Sequence, residues 1–149
     1  MNLLAPVSTI MTSNPITVGV EDNLKKVEDI FTKEKINHLP VIDEGILVGM
    51  VSKSDYLFFK RGFNDDNNDE KIDLFRLKTH KVREIMTTGL ATLEPEDKIN
   101  VALEVFKENL FHAIPIVSNG SVKGILSTLD IIRSLADDKG AVNKYQFQK

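Results

Sequence analysis

The chain has no cysteine, which excludes disulfides, thiolate zinc sites and a cysteine nucleophile. It has no excess of positive charge either. Its 19 Lys and Arg stand against 22 Asp and Glu, for a net charge of −3, whereas a generic binder of nucleic-acid backbone carries a basic face. Any anion site must therefore be local. No apolar run approaches the roughly 20 residues of a membrane span. The opening MNLLAPVSTIM lacks the basic stretch of a signal peptide, so a cytoplasmic location without a membrane partner is expected. Catalytic signatures are missing as well: no Gly-x-x-x-x-Gly-Lys loop, no Gly-x-Ser-x-Gly elbow, and no pair of histidines at metal-ligand spacing. Neither an enzyme nor a metal centre is expected.

What is present suffices for a folded body. With 149 residues, 42% hydrophobic and 28% charged, the chain fits one ordinary domain or two small ones. Shifted by seventy-five residues, residues 7–60 align with 82–135 without a gap. Ile10-Met11-Thr12 meets Ile85-Met86-Thr87, Glu21-Asp22 meets Glu96-Asp97, and Phe31 meets Phe106. Pro40, Gly45, Gly49, Ser52 and Asp55 then meet Pro115, Gly120, Gly124, Ser127 and Asp130. This is an internal duplication.

Each copy reads as strand, helix, strand, strand, helix. Short β-branched pieces at 16–18 and 91–93 lead to acidic pairs that suit a helix N-terminus. Leu24, Val27, Ile30 and Phe31, and in the second copy Ile99, Ala102, Leu103, Phe106 and Leu110, then form apolar stripes at helical spacing. The apolar runs 39–42 and 46–51 are joined by Asp-Glu-Gly, and 114–117 and 122–126 by Ser-Asn-Gly, which predicts hairpins. A second helix follows Ser52 or Ser127, with Tyr56, Leu57 and Phe59 or Ile131, Ile132 and Leu135 as its apolar residues. A unit this small buries too little surface alone. The expected fold is therefore α+β, two pseudo-symmetric β-α-β-β-α repeats packed sheet to sheet, with repeat one at 7–60 and repeat two at 81–135. The acidic linker 61–80 divides into an Asn/Asp-rich loop and a helix with Ile72, Leu74, Phe75 and Leu77 that crosses between the copies. Asp65, Asn67 and Asp69 imitate the start of a calcium loop, but Glu70 and Arg76 occupy the positions of its Gly and bidentate Glu. The tail 136–149 is expected to fray from Gly140.

The repeated Gly-x-x-Ser-x-x-Asp has two readings. One is a capping box, strained because Asp is shorter than the preferred Glu or Gln. The other is a ligand hook. Helix N–H groups and a Ser hydroxyl face phosphate, an ionised Asp accepts from the two hydroxyls of a ribose, and the glycines let a planar base approach.

Together, the doubled Ile-Met-Thr lead-ins, HLPVID and AIPIVSNG, and GMVSKSDYL and GILSTLDII resemble a tandem CBS-domain pair, or Bateman module, across residues 7–135. The resemblance implies a regulatory module rather than a catalyst. Its ligand would be AMP, ADP, ATP or S-adenosylmethionine, held in clefts between the repeats, and modules would associate as homodimers. It implies that Asp55 and Asp130 hold ribose, that Ser52 and Ser127 face phosphate, and that the segments around Thr12 and Ile16, or Thr87 and Ala91, meet the base, each working with the Asp of the other copy. His38, His112 and Lys53 are the basic candidates for phosphate, fewer than the family pattern carries. The regulated partner would be a separate protein. The alternative is a ligand-free structural or oligomerisation module, in which the Asp residues only cap helices.

Overall fold

A computed structural model describes residues 1–62, 70–109 and 111–138. Among them lie five α-helices and two three-stranded sheets. One sheet has the order β2 (Val18–Gly19), β3 (His38–Asp43), β4 (Ile46–Ser52), and the other β1 (Thr12–Ser13), β6 (Ser121–Ser127), β5 (Ala113–Ser118). The hairpins β3–β4 and β5–β6 turn at Glu44-Gly45 and Asn119-Gly120, where all four residues have positive φ. Such two-residue turns match the twist of the strands they join. Both hairpins shift register at the same point, between Val41 and Ile42 and between Ile116 and Val117. The sheets meet along β4 and β6, and at the turns the Leu47 N–H donates to the Gly120 carbonyl over 2.9 Å.

The lead-in segments exchange. Strand β1 belongs by sequence to the first repeat, yet it pairs with β6 of the second, Thr12 opposite Ile125 and Ser13 opposite Gly124. Reciprocally, Thr87 and Met50 on β4 exchange backbone hydrogen bonds of 2.9 and 3.0 Å. After crossing, the chain returns to its own sheet. Val18 then lies parallel to Val41, and Leu93 to Ile116. The strands expected at 16–18 and 91–93 are therefore shortened to Val18–Gly19 and a bridge at Leu93, because residues before them span from one sheet to the other.

This exchange explains how two small repeats close their cores. One cluster holds Leu24, Val27, Phe31, Leu39, Val41 and Val51 together with Val82, with Ile85 and Met86 packed against it. The other holds Ile99, Ala102, Phe106, Ile114, Ile116 and Leu126 together with Val7, with Ile10 and Met11 against it. Each repeat thus plugs the core of its twin, removing apolar surface that neither could cover alone.

The helices follow the apolar spacing. Helix α1 (Leu24–Lys33) buries Leu24, Val27 and Phe31, and α4 (Ile99–Asn109) buries Ile99, Ala102 and Phe106. The acidic pairs act differently from expectation, since neither helix has an acidic residue in its first turn. Asp22 Oδ2 instead accepts the Gly19 N–H at 2.7 Å, and Asp97 Oδ2 the Glu94 N–H at 2.7 Å, so each closes the turn before its helix. Asn23 then caps α1, accepting from the Lys26 N–H at 3.0 Å.

Helices α2 (Lys53–Arg61) and α5 (Thr128–Asp137) bury only Tyr56 and Ile131, and Leu57, Ile132 and Leu135 of the expected stripes stay exposed. Tyr56 donates to Glu28 on α1, and Lys60 reaches the same carboxylate at 3.2 Å, tying α2 to α1. The linker helix α3 (Glu70–Thr79) packs on α1 and sends Leu77 into the first core. It belongs to the first repeat and does not cross between the copies, and Ile72, Leu74 and Phe75 remain exposed. The calcium-like Asp65, Asn67 and Asp69, Leu110 of the α4 stripe, and the tail from Gly140 lie outside the described residues.

Candidate functional site

Strands β4 and β6 each run straight into a helix, and the junctions are closed by matching caps. The Ser52 hydroxyl oxygen accepts the Asp55 N–H at 3.0 Å, while Asp55 Oδ2 accepts the Ser52 N–H at 2.9 Å. At the other junction the corresponding distances are 3.1 and 2.7 Å. Aspartate therefore spans the capping box, and the cap, expected to be strained by the shorter side chain, is formed in full at both junctions.

The caps also determine what each helix end still offers. Of the four N–H groups that an α-helix N-terminus leaves without an intrahelical partner, those of Ser52 and Asp55 are used in the box, and Lys53 donates to the Asn37 carbonyl at 2.8 Å. Ser54 N–H is left over. At α5 the Thr128 N–H donates to the His112 carbonyl at 3.0 Å, and Leu129 N–H is left. The hydroxyls differ. Ser127 donates to Asp130 Oδ2 at 2.7 Å, whereas Ser52 makes no such bond and keeps its proton available. Oδ1 of both aspartates accepts no hydrogen bond from the described residues.

One cleft of about 750 Å³ gathers both junctions, within the usual range for a small-molecule site. The first repeat contributes Thr12 to Ile16 by way of Asn14 and Pro15, the stretch 35–38, Ser52, Lys53, Ser54 and Leu57. The second contributes His112, Ile125, Ser127, Thr128, Leu129, Asp130 and Arg133. Of the expected residues, Thr12, Ile16, His38, Ser52, Lys53, His112, Ser127 and Asp130 thus line a single cavity, and the lead-in of one repeat faces the Asp of the other. Asp55, Thr87 and Ala91 do not line this cavity. The Thr87–Met50 pairing repeats that of Thr12 with Ile125, so these three hold the symmetry-related position. Lys35 and Arg133 line the cleft and carry no signal in the duplication, because their counterparts Leu110 and Phe58 are apolar.

The glycines do not offer an open face to a ligand. A Cβ on Gly124 would lie 2.5 Å from Met11 Sδ and 2.9 Å from the Thr12 carbonyl oxygen, and one on Gly49 would lie 2.8 Å from Met86 Sδ and 3.0 Å from the Thr87 oxygen. The missing side chains make room for the exchanged lead-ins. The expected approach of a base to these glycines is replaced by an approach of backbone.

Of the two cleft histidines, His38 is the perturbed one. Burial, then the neighbouring His112, push His38 below its ordinary value, and Asp55 opposes them. Histidine titrates near 6.5 when unfolded, so the unfolded chain binds more protons than the folded one in the window below that value, and stability falls as pH falls through it. Thermal unfolding of the His38→Asn variant should accordingly lose less midpoint than the parent between about pH 7 and pH 5. Parallel curves would refute this role for His38.

Comparison with known proteins agrees with this construction. The CBS domain family model matches residues 7–62 and 82–137. Uncharacterized protein MJ1404 of Methanocaldococcus jannaschii is 34% identical over 140 residues, covering 91% of this chain, and the chain spans 33% of that protein's length. The CBS domain pair of protein MJ0100, solved in complex with methylthioadenosine and S-adenosyl-L-methionine, is 25% identical with a TM-score of 0.71, over 87% of this chain and 98% of that one. The structure of CBSX2 in complex with AMP shares the fold at 23% identity and a TM-score of 0.73, over 91% of this chain and 99% of that one. Among the described residues, no cluster of His, Cys, Asp or Glu could hold a metal ion, and no helix is long and apolar enough to cross a membrane.

Proposed function

The chain belongs to the CBS domain family and carries the domain twice, and from that premise we propose that it is a regulatory module that binds an adenosine-containing ligand between its repeats and signals occupancy to a partner protein. The observation that carries this reading is the cleft itself. It faces the Thr12–Ile16 segment of one repeat with Asp130 of the other, and Asp130 keeps one carboxylate oxygen unused after capping its helix. Oδ1 then accepts a ribose hydroxyl, the Thr12–Ile16 segment meets the base, and the remaining N–H groups of Ser54 and Leu129, with the Ser52 hydroxyl, face phosphate. His38, His112 and Lys53 border the same end. Asp55, Thr87 and Ala91 serve a second, symmetry-related site that is poorer in cations.

The ligand class is AMP, ADP, ATP or S-adenosylmethionine, all of which share the adenosine that MJ0100's ligands also contain. The module acts by shape rather than by turnover. A second copy packs against the exposed apolar residues of α2 and α5, among them Phe58 and Ile132 at 78% and 59% exposure, giving a homodimer. One observation favours a ligand-free structural module instead: the completed capping boxes already account for both aspartates.

Calorimetry with the four compounds, joined to native mass spectrometry for carried ligand and subunit number, separates the readings. Saturable heat with at least one of them, nucleotide unchanged after incubation, is expected. No heat with any of the four would leave only the structural module.

A further inference from the structure

The cleft's charges are lopsided. Lys35, Lys53 and Arg133 line it, and Asp130 is the one carboxylate that does. None of the three cations has an ion-pair partner among the described residues, so their charge is left to whatever occupies the cleft. The two helix N-termini that open on the cleft add partial positive charge. The asymmetry between the copies is equally sharp. Lys35 and Lys53 of the first repeat correspond to Leu110 and Thr128 of the second, and Arg133 of the second corresponds to Phe58 of the first, so none of the cations is duplicated while Ser and Asp are.

We propose that this cleft selects adenosine phosphates over S-adenosylmethionine, with Lys35 and Arg133 as the specificity-determining residues, and that the symmetry-related site lacks this preference. The inference rests on the adenosine reading above. At neutral pH the sulfonium and ammonium of S-adenosylmethionine outweigh its carboxylate, so the ligand is a net cation, whereas AMP and ATP are multiply anionic. Three unpaired cations within a cleft of this size lie within about one Debye length, 8 Å at physiological salt, of a bound ligand's charged end. They attract the phosphates and repel the sulfonium. Adenosine, which has neither charge, reports the part of affinity that Asp130 and the base contacts supply.

The test is titration calorimetry of the full chain and of Lys35→Gln, Arg133→Gln and the double variant, each with ATP, AMP, adenosine and S-adenosylmethionine, at low and at physiological salt. The parent should bind ATP at least about tenfold more tightly than adenosine, the equivalent of one charge-assisted hydrogen bond, and more tightly than S-adenosylmethionine. That margin should shrink with salt. The double variant should lose about tenfold or more in ATP affinity and under about twofold in adenosine affinity. Arg133→Phe, which copies the twin site, should move in the same direction. Equal losses for ATP and adenosine, or tighter binding of S-adenosylmethionine than of ATP by the parent, would overturn the specificity while leaving adenosine binding intact. Failure of all four compounds to bind would overturn the adenosine reading and this inference together.

Discussion

Asp130→Asn should keep the fold and lose the ligand. Asparagine retains one side-chain oxygen, enough to accept the Ser127 N–H that Asp130 Oδ2 now takes at 2.7 Å. The amide nitrogen replaces an acceptor that the ribose needs, and the negative charge is gone. A hydrogen bond to a charged group contributes about 1.5 to 3 kcal/mol, so the affinity for an adenosine ligand should fall about tenfold to a hundredfold. Unfolding in urea should shift by less than a full cap's worth, about 1 kcal/mol. Asp130→Ala removes both functions and should show both losses. Asp55→Ala is the informative control: it breaks the same capping box at α2, but Asp55 does not line the main cleft. It should cost a similar amount of stability and leave the affinity of the Asp130 cleft for adenosine, which makes no phosphate contact at the α2 terminus, within about twofold. If Asp55→Ala and Asp130→Ala weaken that site equally, the aspartates act only through the helices they cap.

Much of the fold was legible in the sequence because its determinants are local. The stripes Leu24-Val27-Phe31 and Ile99-Ala102-Phe106 face the cores as their spacing predicts, and Glu44-Gly45 and Asn119-Gly120 form the hairpin turns. The duplication itself pointed to Ser52, Asp55, Ser127 and Asp130. What it could not supply was which copy a segment packs on. Ile10-Met11-Thr12 and Ile85-Met86-Thr87 are identical, so their exchange between repeats leaves no trace in the pattern, and the glycines that admit them read as a ligand surface. Duplication also hides whatever is not duplicated. Lys35 and Arg133 align with apolar residues in the twin and became visible only when the fold placed them in the same cleft as Asp130. Helix α3 misled for a third reason. Ile72, Leu74, Phe75 and Leu77 promised a helix with a buried face, but Leu77 alone reaches a core.

Gly124→Val should be the most destabilising of these substitutions, and it distinguishes backbone packing from ligand approach at the repeated glycine. Even a single added carbon would sit 2.9 Å from the Thr12 carbonyl oxygen, a backbone atom held in the β1–β6 pairing. Met11 could swing its sulfur away. The Thr12 oxygen can move only if β1 moves. Overpacking of this kind costs about 1 to 3 kcal/mol, and valine adds two methyls to the alanine clash, so Gly124→Val should lose about 3 kcal/mol or more in urea unfolding without any ligand present. Gly49→Ala, with its contact to the Thr87 oxygen at 3.0 Å, should lose less than Gly124→Ala. Displacing β1 also drags Thr12 out of the cleft wall, so the residual folded protein should bind ligand poorly even though Gly124 itself does not line the cleft. The opposite result, an unchanged unfolding midpoint with binding lost, would mean that the glycine's open face serves a ligand and that the lead-in yields readily. On the observed packing, the Gly-x-x-Ser-x-x-Asp run does three jobs in order along the chain. The glycine admits the other repeat's backbone, the serine starts the helix, and the aspartate closes that helix with one oxygen while its other oxygen accepts no hydrogen bond from the described residues.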